Sequence, residues 1–124
     1  MKVTRLLHHS VNVEDRLDET RAFYAEVLGL DVEPGRPVIP GVEGAWFDAG
    51  QGGQIHLVDC DKGTGAIRPT DVHVCLGVED LRATIAELDE RAIPYLRGAQ
   101  GDVVQIWIAD PSGNVIELQH DPPP

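Results

Sequence analysis

The chain has 124 residues, 42% of them hydrophobic, with a formal net charge of −11, so it suits one domain with its own core. The acidic balance speaks against nucleic acid and against an anionic membrane surface, both of which ask for a basic face. Cys60 and Cys75 are too few for a disulfide scaffold and read as free thiols in a reducing, cytoplasmic setting.

The N-terminus places Lys2 and Arg5 before only a short apolar run, which does not read as a signal peptide, and no run approaches membrane-spanning length. Residues 6–13 alternate as a strand: His8, Ser10 and Asn12 on one face, Leu7, His9, Val11 and Val13 on the other. His9 is expected buried and neutral against the first helix. That helix begins at a cap from Asp15 or Asp18 and runs to about Leu28. Its apolar stripe is Leu17, Tyr24, Val27 and Leu28, with Phe23 beside it, and Gly29 stops it. Residues 34–44 hold three prolines and three glycines and read as a loop, a candidate lid over a cavity.

Residues 45–48 and 54–58 read as strands around the hairpin-type turn Gly50-Gln51-Gly52-Gly53, with Trp46 and Phe47 expected in the core. Residues 61–65 form a turn-rich linker. A strand opens at His73. Asp80 then caps a helix with Leu81, Ile85 and Leu88 at helical spacing, and Pro94 lies beyond its end. Residues 103–109 and 115–119 are strands joined by the turn Asp110-Pro111-Ser112-Gly113-Asn114. The three final prolines read as a frayed tail, and His120 as a surface residue.

These elements repeat. Residues 8–15 and 73–80 both fit H-x-x-[VL]-x-V-E-D, at an offset of 73 − 8 = 65. Gln54-Ile55-His56-Leu57 matches Val115-Ile116-Glu117-Leu118, at an offset of 117 − 56 = 61. The expected fold class is α+β: two tandem βαβββ modules, residues 1–62 and 66–124, within one domain spanning 1–124.

The repeat puts ligand-type side chains at matched places. His8 and His73 stand on the first strand of each module, and His56 and Glu117 on the last. A lone strand histidine is usually a hydrogen-bonded structural residue. Four such residues at four matched positions are harder to explain that way. If the modules pack pseudo-symmetrically, three imidazoles and a carboxylate can converge on one divalent metal: Zn, Ni, Mn, Co or Fe.

At these residues the chain resembles the vicinal oxygen chelate superfamily, which includes glyoxalase I, methylmalonyl-CoA epimerase, extradiol dioxygenases, fosfomycin-resistance transferases and bleomycin-binding proteins. The matching segments include Leu7-His8 with Val13-Glu14-Asp15, Phe23-Tyr24 through Leu28-Gly29-Leu30, Gln54-Ile55-His56-Leu57, Asp71-Val72-His73 and Asp110 to Leu118. They span nearly the whole chain, but they say little about the reaction. The resemblance implies a curved mixed sheet around a metal cavity and a homodimer that shares modules between chains. It selects His8, His56, His73 and Glu117 as metal ligands. Histidine at position 56 departs from the glutamate of glyoxalase I and the glutamine of the epimerase.

The resemblance further implies a small-molecule substrate with adjacent oxygens and proton abstraction, as in a lyase or isomerase, with Glu117 as the catalytic carboxylate. Asn12 stands where relatives often place an arginine for glutathione, and the arginines Arg36, Arg68 and Arg97 lie in loops, so a glutathione adduct is not the expected substrate. A ring-cleaving dioxygenase using His8, His73 and Glu117 around Fe(II) is the alternative, and an antibiotic-binding or resistance protein the second. Trp107, Gln105, Asn12 and Cys75 are expected to line the substrate cavity. A reactive role for Cys75 is not expected, since no basic activator is evident.

Overall fold

The computed structural model describes residues 1–61, 65–109 and 114–122. The turn at 110–113, linker residues 62–64 and the last two prolines lie outside the described residues. The elements are β1 (Val3–Asn12), helix α1 (Leu17–Ala22) running into a π-helical turn (Phe23–Val27), β2 (Asp31–Val32), β3 (Glu43–Gly50), β4 (Gly53–Asp59), β5 (His73–Val78), α2 (Leu81–Glu90), β6 (Leu96–Gln100), β7 (Val103–Ala109) and β8 (Val115–His120). This is the expected βαβββ order, twice.

All eight strands form one curved sheet in the order β2-β3-β4-β1-β5-β8-β7-β6. Each module pairs its first and last strands in parallel, β1 with β4 and β5 with β8. The modules join where β1 runs antiparallel to β5. Both strands belong to the same chain.

Period-two alternation sorts side chains between two faces. On β4 His56 faces one way and Leu57 the other. On β8 the same holds for Glu117 and Leu118, and on β3 for Trp46 and Phe47. The apolar members collect under the helices as two clusters. One is Val13, Leu17, Ala45, Phe47 and Leu57; the other is Val78, Leu81, Leu88, Ile106 and Leu118. The opposite face carries the histidines and the acid.

The second helix begins as expected, with Asp80 accepting from the Ala83 amide at 3.0 Å. The first does not. Arg16 occupies the N-cap without a side-chain cap, and Asp15 sits at φ 67°. The π turn then rotates the remaining residues out of phase. Tyr24 reaches the core, while Phe23, Val27 and Leu28 are exposed. Gly29 does end the segment, at φ 68°.

Candidate metal centre

Four matched positions meet on the concave face. His8 Nε2 lies 2.8 Å from Glu117 Oε2, and His73 Nε2 lies 3.1 Å from the same oxygen. The two imidazole nitrogens are 3.3 Å apart. The register explains this: Cys75 on the central β5 is opposite His8 on one side and Glu117 on the other. Ser10 is in turn opposite both His73 and His56. Strand neighbours share a face, so every member of the set projects the same way. All four are buried.

Hydrogen bonds set the protonation pattern. His73 Nδ1 lies 2.7 Å from the Asp71 carbonyl, which can only accept. A proton therefore sits on Nδ1, and Nε2 is left facing Glu117. His73 Nε2 and Glu117 Oε2 lie 3.1 Å apart, where either a proton or a cation can sit between them. Burial works to raise the Glu117 pKa, but hydrogen bonds from His73 and His8 outweigh it and hold the carboxyl at about 2. A carboxylate, two imidazoles and a backbone carbonyl that fixes one tautomer make a donor set that suits a divalent cation.

His56 stands differently. Its ring is sandwiched between Trp46 (centroids 4.1 Å, interplanar 3°) and His8 (3.8 Å, 19°). Its Nε2 donates to Gln54 Oε1 at 2.7 Å instead of pointing at the other three. Burial, and then the neighbouring His8, push its pKa down to about 2, so the ring stays neutral.

A cavity of about 680 Å³ opens over these residues and is lined on its two sides by Trp46 and Gln54 and by Gln105 and Trp107. That size accommodates a small molecule. Trp107 and Gln105 both line this cavity. Asn12 and Cys75 do not line the cavity. The Asn12 amide donates to the Cys60 carbonyl and accepts from the Glu14 amide, which ties it to the strand end. Cys75 has no exposure at all. It lies beneath the site, its sulfur within 4.8 Å of ligand atoms of His8 and Glu117. Burial first, then the Glu117 charge and a hydrogen bond to it, push the thiol pKa up and keep Cys75 protonated.

Other residues also depart from expectation. Trp46 belongs to the cavity, whereas Phe47 alone is core. The signal was present in the repeat: 46 + 61 = 107, so the two tryptophans are equivalent, opposite His56 and Glu117 respectively. His9 is half-buried rather than enclosed, and His120 accepts from the Leu81 amide instead of standing free at the surface.

Known proteins resemble the chain along its length. The family model for the Glyoxalase/Bleomycin resistance protein/Dioxygenase superfamily matches residues 5–118. A protein named Glyoxylase I 4 from Arabidopsis thaliana is 35% identical over 130 residues, spanning 95% of this chain and 71% of that protein. The methylmalonyl-CoA epimerase of Mycobacterium tuberculosis shares the fold at a TM-score of 0.77 and 20% identity, covering 98% of this chain and 90% of that one. A Streptomyces coelicolor methylmalonyl-CoA epimerase variant, solved with 2-nitronate-propionyl-CoA, shares it at 0.70 and 23%, covering 98% and 99%. With a match from residue 5 to residue 118 and a relative at this identity, the chain belongs to the Glyoxalase/Bleomycin resistance protein/Dioxygenase superfamily.

Proposed function

We propose that the chain is a metal-dependent enzyme of isomerase or lyase type, which moves a proton on a small molecule bearing adjacent oxygens. The observation that carries this reading is the meeting of His8 Nε2, His73 Nε2 and Glu117 Oε2 within 3.3 Å, under a cavity of small-molecule size. His8, His73 and Glu117 would hold a divalent ion, with His56 beside them as the fourth and weakest member. Such an ion supplies Lewis acidity: it polarises a carbonyl and makes the adjacent C–H more acidic.

The residues do the rest. Glu117 is ionised and buried, so it can accept a proton from carbon without first losing one. His73, its Nδ1 held by the Asp71 carbonyl, would present Nε2 to such an ion. Trp46 and Trp107 supply apolar walls that limit water around the reacting atoms. The kinship with Glyoxylase I 4 supports the reaction class. The two free cysteines are in keeping with a cytoplasmic setting, and the homodimer is proposed only as the family resemblance implies it.

One observation favours a second reading. Because His56 turns toward Gln54, the three remaining groups form a two-histidine, one-carboxylate set, which suits an Fe(II) dioxygenase. Metal analysis of the purified protein, with activity screens on α-ketoaldehyde thiol adducts and oxygen uptake on catechols, separates the two. Proton-transfer activity without oxygen uptake is expected. Glu117→Gln should keep the fold and lower turnover by about 100-fold or more. Full activity in that variant, or purified protein that takes up no divalent metal, would sink the proposal.

A further inference from the structure

Among the described residues the cavity has two cationic lining residues, Arg5 and Arg36. Arg5 is neutralised, since its guanidinium meets both oxygens of Asp121 at 3.1 Å. Arg36 is not. Its Nη1 donates to the Pro37 carbonyl at 3.3 Å and its Nη2 to the Val42 carbonyl at 2.9 Å. Both partners are neutral and belong to its own loop. Its Nε is buried without a hydrogen-bond partner. Among the described residues no acid lies within ion-pair distance of it. Burial, and then the Arg21 charge, lower its pKa, while the Glu43 carboxylate works the other way.

A half-buried arginine whose hydrogen bonds go only to neutral carbonyls keeps its charge free for an anionic partner. It is unusual here, in a chain with 21 acidic residues against 10 basic ones. The backbone also makes room for it. A Cβ on Gly44 would collide with the Leu57 carbonyl and lie 3.3 Å from Arg36 Nε. Gly44 is the counterpart of Gln105 in the second module, since 44 + 61 = 105. The two cavity walls are therefore unequal. One carries a cation held in place by two carbonyls. The other carries neutral groups, the Gln105 Oε1 and Trp107 Nε1 atoms, which also lack partners.

We propose that Arg36 is the anchor for a carboxylate on the substrate, placed at the end opposite the neutral wall of Gln105 and Trp107. The inference rests on the metal-enzyme reading and adds the substrate class: a small oxygen chelate that also carries an acid group. Its Nε–H is buried, so one N–H on each of Nη1 and Nη2 is left for the carboxylate after the two carbonyl bonds. A planar fork is the form that pairs well with a carboxylate. Such a ligand supplies the missing counter-charge.

The test compares two chelators on metal-loaded protein by titration calorimetry. Acetohydroxamate offers adjacent oxygens alone. Succinic acid monohydroxamate offers the same oxygens and a carboxylate. Wild type is expected to bind the second about tenfold more tightly or better. Arg36→Met should remove that preference while acetohydroxamate binds as before, and Arg36→Lys should keep part of it. If Arg36→Met fails to fold, Arg36→Gln takes its place. Equal binding of the two chelators by wild type overturns the carboxylate anchor and leaves the metal reading standing. So does loss of the preference in Arg5→Gln but not in the Arg36 variants. Failure of the wild type to take up metal overturns the metal reading, and failure of both chelators to bind metal-loaded wild type overturns the chelation of adjacent oxygens and the anchor with it.

Discussion

The candidate ligands are unequal, and substitution should reveal it. His8 and Glu117 touch at 2.8 Å and His73 faces both, whereas His56 is turned to Gln54. Removing His8 or His73 should abolish metal uptake, whereas His56→Ala should weaken it by about 10- to 100-fold, as loss of a supporting partner does. Equal losses in all three variants, measured by metal titration, would rank His56 as a full ligand. His56 also sets a pH dependence. Its folded pKa is near 2, against 6.5 for the free side chain. The unfolded chain therefore takes up a proton that the folded one refuses. Stability present above pH about 6.5 is lost as pH falls toward 2. Metal-free protein should melt at steadily lower temperature from about pH 7.5 to pH 5, and His56→Gln should flatten that slope. An unchanged slope would mean another group controls it. The matched positions of His8, His56, His73 and Glu117 were legible because a repeat in sequence becomes a pseudo-symmetry in space. The stacking of His56 on Trp46 was not, since it depends on which strand lies next to which.

Elements divide along the same line. The second helix carries its own cap and stripe. Asp80→Ala should cost about 1 kcal/mol, read as a lower denaturation midpoint. The first helix lacks such a cap, and its apolar residues at 3.6-residue spacing were misleading once the chain took a π turn at Phe23–Val27. β7 and β8 were legible from β-branched and alternating residues. β2, with two residues, and β6, Leu96–Gln100, carry little apolar patterning, and their pairing with β3 and β7 makes them strands. Glycine at 98 has a packing reason, because a Cβ there would sit 2.9 Å from the Trp107 ring. Gly98→Ala should displace that indole and destabilise the fold by about 1–3 kcal/mol. An unaltered melting curve with unaltered Trp107 fluorescence would show that the ring has space to spare.

At the scale of the molecule, the candidate ligand set bridges two modules. His8 and His56 come from the first, His73 and Glu117 from the second, and β1 and β5 are the seam between them. A bound ion would cross-link the halves and stabilise the folded state by mass action, about 2.7 kcal/mol at a hundredfold excess over the dissociation constant. Chelator treatment should therefore lower the melting temperature, and metal should restore it. An identical melt before and after stripping would argue that no ion joins the modules. The sequence alone determined the two-module plan, the cap of the second helix and the identity of the convergent side chains, because periodicity and repetition are local properties of a chain. The tertiary structure decided that β1 and β5 pair within one chain, and that Asn12 and Cys75 leave the cavity while Trp46 enters it. It also decided that Arg36 stands there without an acid partner. Those outcomes depend on strand order and on which charges end up within a few ångströms, and no spacing along the chain records either.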